Sequence, residues 1–164
     1  MTETRRPSST GHAPVAAMRY AFCYPMVIED DSNYTTLLLE AFQNAGVPKL
    51  QVRTLADGTE AIAALAAAAL ETRPPLKALP SFLLLDNSLP GKSGLEVLEW
   101  MRQTPALAEL PVFMLSSPMK PHEMIRALEL RARSCFLKPG TFGELQAILE
   151  AVLAHWYRRS HGPF

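Results

Sequence analysis

The chain has 164 residues, with 16 Lys and Arg against 16 Asp and Glu, 48% hydrophobic and 20% charged residues, and two cysteines. That length suits one compact domain with tails, and a net charge of zero removes the general electrostatic basis for binding nucleic acid or an anionic membrane surface. Cys23 and Cys135 lie too far apart for metal-ligand spacing and are too few for a disulfide scaffold, so two buried thiols in a reducing cytoplasm are expected. The apolar stretch from Ala61 to Leu70 is mostly alanine and suits a packed helix better than lipid. Arg5 and Arg6 are not followed by an apolar core, which argues against a signal peptide.

Residues 1–18 are rich in Thr, Ser, Pro, Gly and His, and read as a disordered tail before a domain over 19–158 and a short tail at 159–164. The domain alternates short apolar runs with longer amphipathic segments. Tyr24 to Ile28 reads as a first strand ending at Glu29-Asp30-Asp31, although Pro25 lacks a ladder donor, so either the strand starts at Met26 or it carries a bulge. Tyr34, Leu38, Ala41, Phe42 and Ala45 recur at helical spacing, and Gly46 with Pro48 stops that helix. Leu50 to Leu55 is the second expected strand. Asp57 and Glu60 then stand as N-cap and N3 of an alanine-rich helix to about Glu71. The Pro-rich stretch over 73–80 is longer than an αβ connection needs.

Phe82 to Leu85 is wholly apolar, as a strand covered on both faces must be, and it ends abruptly at Asp86. Ser93 and Glu96 form a capping box for a helix burying Gly94, Val97, Leu98 and Met101. Val112 to Leu115 is a fourth strand ending at Ser116-Ser117, and Pro121 suits the first turn of the helix that follows. Cys135 to Leu137 is a fifth strand before Lys138-Pro139. Thr141 and Glu144 cap a last helix carrying Leu145, Ile148, Leu149, Val152, Leu153 and Trp156 on one face. Five strands alternating with five helices predict a doubly wound α/β fold, a parallel sheet with helices on both faces. In such sheets the binding crevice lies at the carboxyl ends of the strands.

Glu29, Asp30, Asp86, Ser116 and Lys138 all fall at those ends. Asp31 or Ser32 can cap the first helix while Asp30 faces the crevice. Two like charges 4 Å apart repel by roughly 4 kcal/mol at an effective dielectric of about 20, so three converging carboxylates need a cation. Oxygen-only ligands at a partly open site favour Mg²⁺, which joins one or two carboxylates to a phosphate. Lys138 and Ser116 would complete a phosphoryl pocket, with Asp86 as the nucleophile.

The stretch Met26-Val-Ile-Glu-Asp-Asp31, the stretch Leu83-Leu-Leu-Asp-Asn-Ser-Leu-Pro-Gly91 and the pair Lys138-Pro139 resemble the receiver domain of two-component response regulators, over about Phe22 to Trp156. The long loop before strand three, Ser116-Ser117 and the pair Trp156-Tyr157 are most similar to small stand-alone receivers encoded with bacterial phytochrome-type histidine kinases. The resemblance implies the flavodoxin-like (βα)5 receiver fold with strand order 2-1-3-4-5. It implies Asp86 as phosphoacceptor, Ser116 as switch hydroxyl and Lys138 as the family's lysine. It also implies a Mg²⁺ site made by Glu29, Asp30, Asp86 and the backbone carbonyl of Ser88.

The partner implied is a histidine kinase or a histidine phosphotransfer protein in the cytoplasm, with no nucleic acid and no membrane. Only seven residues follow Tyr157, so output is expected through protein contact, onward transfer, or a homodimer formed by the face of helix four, strand five and helix five. Four departures stand out. Cys135 occupies the usual aromatic switch position, Arg131 the usual helix-ending glycine, and Ser88 and Pro118 the positions that govern acyl-phosphate lifetime. Two other readings compete. A Mg²⁺-dependent phosphatase of the haloacid dehalogenase type uses a similar inventory but needs a second Asp where Ser88 stands, and a degenerate receiver would act only as a binding scaffold. A nucleotide or flavin enzyme is disfavoured because no Gly-rich loop follows strand one.

Overall fold

The computed structural model describes residues 19–71 and 79–162. The expected tail over 1–18 and most of the Pro-rich stretch lie outside them. Five strands, β1 (Met26–Ile28), β2 (Arg53–Leu55), β3 (Leu83–Leu85), β4 (Val112–Ser116) and β5 (Ser134–Leu137), alternate with α1 (Ser32–Asn44), α2 (Gly58–Leu70), α3 (Gly94–Gln103), α4 (Pro121–Glu129) and α5 (Phe142–His161). The sheet is parallel in every pair, in the order β2-β1-β3-β4-β5. This is the doubly wound order that the resemblance implies.

The two-residue period of the strands divides the core between the faces. Val27, Leu84, Phe113 and Leu115 pack with Leu38 and Phe42 of α1 and Leu149, Leu153 and Trp156 of α5. Met26, Ile28, Leu83, Leu85, Val112 and Met114 pack with Ala61 and Leu65 of α2, Val97, Leu98 and Met101 of α3, and Ala127 of α4. Leu83–Leu85 is buried at all three residues, which explains its lack of polar alternation.

Several boundaries are shorter than the sequence pattern suggests. β1 begins at Met26, leaving Pro25 just outside the ladder with its carbonyl accepting from the Arg53 amide at 3.0 Å. The first two residues of the expected second strand, Leu50 and Gln51, belong instead to a 3-10 turn over Lys49–Gln51, in which Leu50 is exposed. Helix starts follow their caps. Asp31 accepts from the amides of Asn33 and Tyr34, Asp57 from those of Thr59 and Glu60, and Ser93–Glu96 and Thr141–Glu144 form reciprocal capping boxes. α5 continues through His161, whose ring stacks on Tyr157 at 4.2 Å.

The turn from α4 into β5 keeps a left-handed residue without a glycine: Arg131 has φ of 60°. The amide of Arg131 donates to the Leu128 carbonyl and that of Ala132 to the Ala127 carbonyl, a Schellman pair. Arg102, in the last turn of α3, donates to the carbonyls of Leu130 and Arg131 there and to those of Leu107, Ala108 and Leu110.

Candidate functional site

The carboxyl ends of β1, β3, β4 and β5 converge, because the 2-1-3-4-5 order makes β1 and β4 the two neighbours of β3. Glu29 follows β1 and is buried, at 4% exposure. Asp86 follows β3 at 3%, and Ser116 ends β4 at 1%. These three are the buried polar or charged side chains among the described residues, so burial itself singles out the site.

Asp86 is fully engaged. Its Oδ1 accepts from the Ser116 hydroxyl at 2.7 Å and from the Ser88 amide at 3.1 Å, and its Oδ2 accepts from Lys138 Nζ at 2.7 Å. Lys138 also pairs with Glu29 Oε2 at 2.7 Å, and the other Glu29 oxygen accepts from the Asp31 amide at 3.1 Å. The Lys138 amide donates to the Ser116 carbonyl at 2.8 Å, which fixes the start of the β5 exit against β4. Asp30 is exposed at the rim, yet Glu29, Asp30 and Asp86 each offer a carboxylate oxygen within 4.8 Å of the others.

Electrostatics follow from that packing. Burial pushes the Glu29 carboxyl above its ordinary value, outweighing the hydrogen bond from Lys138. Burial acts to lower the Lys138 ammonium, but hydrogen bonds to Asp86 and Glu29 prevail and hold it above its ordinary value. The site therefore holds one ammonium between two carboxylates, with a third carboxylate at the rim. Hard oxygen donors of this number and sign fit a divalent cation that retains waters.

The expected residues are thus brought together: Glu29, Asp30, Asp86, Ser116 and Lys138 in one crevice, with Ser88 engaging it through its amide. The contacts of two further residues, Asn87 and Tyr34, escape a sequence reading. Asn87 accepts from the Leu95 amide through Oδ1 at 3.1 Å and donates to Glu123 Oε1 of α4 through Nδ2 at 3.4 Å. Tyr34, which shows in the sequence only as an apolar position of α1, places its ring 4.9 Å from Lys138 Nζ. Cys135 packs with the cluster on the α2–α4 side and Phe136 with the opposite one.

Residues 26–150 match the model of the response regulator receiver domain. The chain belongs to that family. As a receiver it is 29% identical over 140 residues to a probable methanogenesis regulatory protein, FilR2, of Methanothrix harundinacea, covering 84% of this chain and 87% of the relative. It is 26% identical over 131 residues to the response regulator Rcp1 of Synechocystis sp., covering 80% and 86%. Against the phosphate regulon regulator PhoB of Rhizobium meliloti, 32% identical, this receiver spans 50% of the relative's length. Among solved structures it is similar to the phosphorylated cyanobacterial phytochrome response regulator RcpA, with a TM-score of 0.67 and 27% identity, covering 85% of this chain and 97% of that one. It also shares its fold with the Mn²⁺-bound form of Rcp1, with a TM-score of 0.68 and 24% identity, covering 85% and 98%. The receiver is a signalling module of the two-component type, and its closely placed acidic residues fit a divalent metal.

Proposed function

We propose that this receiver accepts a phosphoryl group on Asp86 from the phosphohistidine of a histidine kinase or a histidine phosphotransfer protein. The observation that carries this reading is the pair of donors on Asp86, Ser116 Oγ and Lys138 Nζ, each at 2.7 Å. A carboxylate oxygen of Asp86 forms the new P–O bond as the donor's P–N bond breaks. The histidine nitrogen leaves with the bonding pair and takes a proton from solvent. Lys138 supplies a point charge to one phosphoryl oxygen and Ser116 a hydrogen bond to another, replacing their present bonds to Asp86.

Glu29, Asp30, Asp86 and the Ser88 carbonyl would hold Mg²⁺, with Asp30 as a direct ligand and Glu29 acting through water. When bound, the ion neutralises charge on the phosphoryl oxygens and the surrounding carboxylates. The chemistry of the donor set supports this, since every ligand is an oxygen and three are carboxylates.

A phytochrome-type kinase is the proposed donor, supported by the similarity to RcpA. Action in the cytoplasm accords with such a donor, and among the described residues no helix is long and apolar enough to cross a membrane. Output is proposed through the α4–β5–α5 face, where Ile125, Leu128, Leu137 and Phe142 are exposed apolar side chains suited to a homodimer or a partner protein. The haloacid-dehalogenase reading is not favoured, because Ser88 offers Asp86 an amide and no second carboxylic acid.

Mg²⁺-dependent labelling by acetyl phosphate tests the reading. The wild type takes up the phosphoryl group and Asp86→Asn does not. Equal labelling of the two, or labelling of neither, overturns it.

A further inference from the structure

Among the described residues the Lys138 ammonium meets Glu29, Asp86 and the ring of Tyr34, and of these the ring alone keeps its character through the proposed reaction. Glu29 and Asp86 are proposed metal ligands, and Asp86 gives up its charge distribution to the acyl phosphate. The third neighbour is the ring of Tyr34, with the ammonium 4.9 Å from its centroid. That distance lies inside the reach of a cation–π attraction, which strengthens when the cation is desolvated. The Lys138 side chain is only 17% exposed.

The helix start explains how the ring gets there. Asp31 caps α1 by accepting from the amides of Asn33 at 2.8 Å and Tyr34 at 3.2 Å, so the cap that begins the helix also fixes the Tyr34 backbone beside the acidic pair. The ring's remaining surface packs against the cluster containing Phe42 and Val27. Its hydroxyl is buried and reaches no hydrogen-bond partner among the described residues. The side chain is therefore placed for its π face and gains nothing from its oxygen.

We propose that Tyr34 is a positioning residue for Lys138. Its ring holds the ammonium over the crevice while Glu29 and Asp86 exchange their ion pairs for metal and phosphoryl group. The inference rests on the proposed phosphotransfer to Asp86 and deepens it by naming what keeps the lysine poised. A ring serves where a third carboxylate would not: it attracts the cation without competing for the metal and without adding negative charge that repels the incoming phosphoryl group.

The test is the initial rate of Mg²⁺-dependent labelling from sub-saturating acetyl phosphate in four proteins: wild type, Tyr34→Phe, Tyr34→Leu, and a protein carrying pentafluorophenylalanine at position 34. Tyr34→Phe keeps the π face and labels at the wild-type rate. Tyr34→Leu and the fluorinated ring, whose shape is retained while its quadrupole is reversed, label more slowly by about threefold to thirtyfold. Labelling of the fluorinated protein at the Phe rate overturns the inference, as does a Tyr34→Phe loss as deep as that of Leu. The fluorinated ring preserves packing, so instability of Tyr34→Leu does not decide the matter. If the wild type itself fails to label, the reading of Asp86 fails and this inference falls with it; wild-type labelling with indifferent ring variants sinks the inference alone.

Discussion

Asn87 Nδ2 donates to Glu123 Oε1 at 3.4 Å, joining the residue after Asp86 to the first turn of α4. The other Glu123 oxygen accepts from the Lys120 amide at 2.8 Å and so caps the same helix. One carboxylate thus ties the start of α4 to the loop that follows β3 and Asp86. With an ordinary cap worth about 1 kcal/mol, Glu123→Ala should speed amide exchange in the first turn of α4 by about fivefold. Asn87→Ala keeps the cap and should leave resting exchange there nearly unchanged. It should still label with acetyl phosphate, but the change in α4 exchange that accompanies labelling should shrink. Hydrogen exchange with and without phosphodonor checks this, and an undiminished α4 response in Asn87→Ala would show that the signal takes another route.

Gly94 begins α3 directly beneath the site. A Cβ there would lie 2.2 Å from the Asp86 carbonyl oxygen and 2.9 Å from Asn87 Cα, both backbone atoms that cannot rotate away. Gly94→Ala should cost about 2–4 kcal/mol in urea denaturation. It should also slow labelling in whatever fraction stays folded, because the displaced backbone carries Asp86. Wild-type stability in this variant would contradict the close approach.

Arg131 pays for its left-handed backbone, which an L residue with a Cβ adopts at a cost of about 1–2 kcal/mol. Its ion pair with Glu109, at 2.7 Å, is largely exposed on both sides and returns little. Glycine removes the strain but adds freedom to the unfolded chain, so Arg131→Gly should raise stability by about 0.5–1 kcal/mol, read as a higher urea midpoint. A lower midpoint would mean that the pair with Glu109 outweighs the strain.

Cys23 sets a pH dependence away from the site. It is wholly buried, and burial pushes its thiol from 9.0 up to about 12. The fold thereby favours the neutral thiol. Its contribution to stability is whole below about pH 9 and is lost as the pH climbs towards 12. In urea, wild type should exceed Cys23→Ala by roughly 1–3 kcal/mol at pH 8, with the gap narrowing steadily above pH 9. A gap constant to pH 11 would place the thiol elsewhere.

The order of elements and the crevice were legible because periodicity and strand ends are local properties. Leu83–Leu85 running into Asp86 carries its own burial argument, and Ser93–Glu96 and Thr141–Glu144 announce their helices. What escaped depends on tertiary closeness. Leu50 carries an apolar side chain into solvent, so a strand pattern extended wrongly into a 3-10 turn. Arg131 hides a Schellman turn normally signalled by glycine. Tyr34 meets Lys138, and Asn87 meets Glu123, only once the sheet has assembled, and no spacing between them encodes the contact.

The ion pairs of Lys138 with Glu29 and Asp86 also bear on chelation. A structural metal centre leaves mutually repelling ligands when stripped, and the domain around it unfolds. Here an ammonium belonging to the chain already stands between two buried carboxylates. The folded state supplies its own countercation, so EDTA should abolish labelling while leaving the melting temperature nearly unmoved.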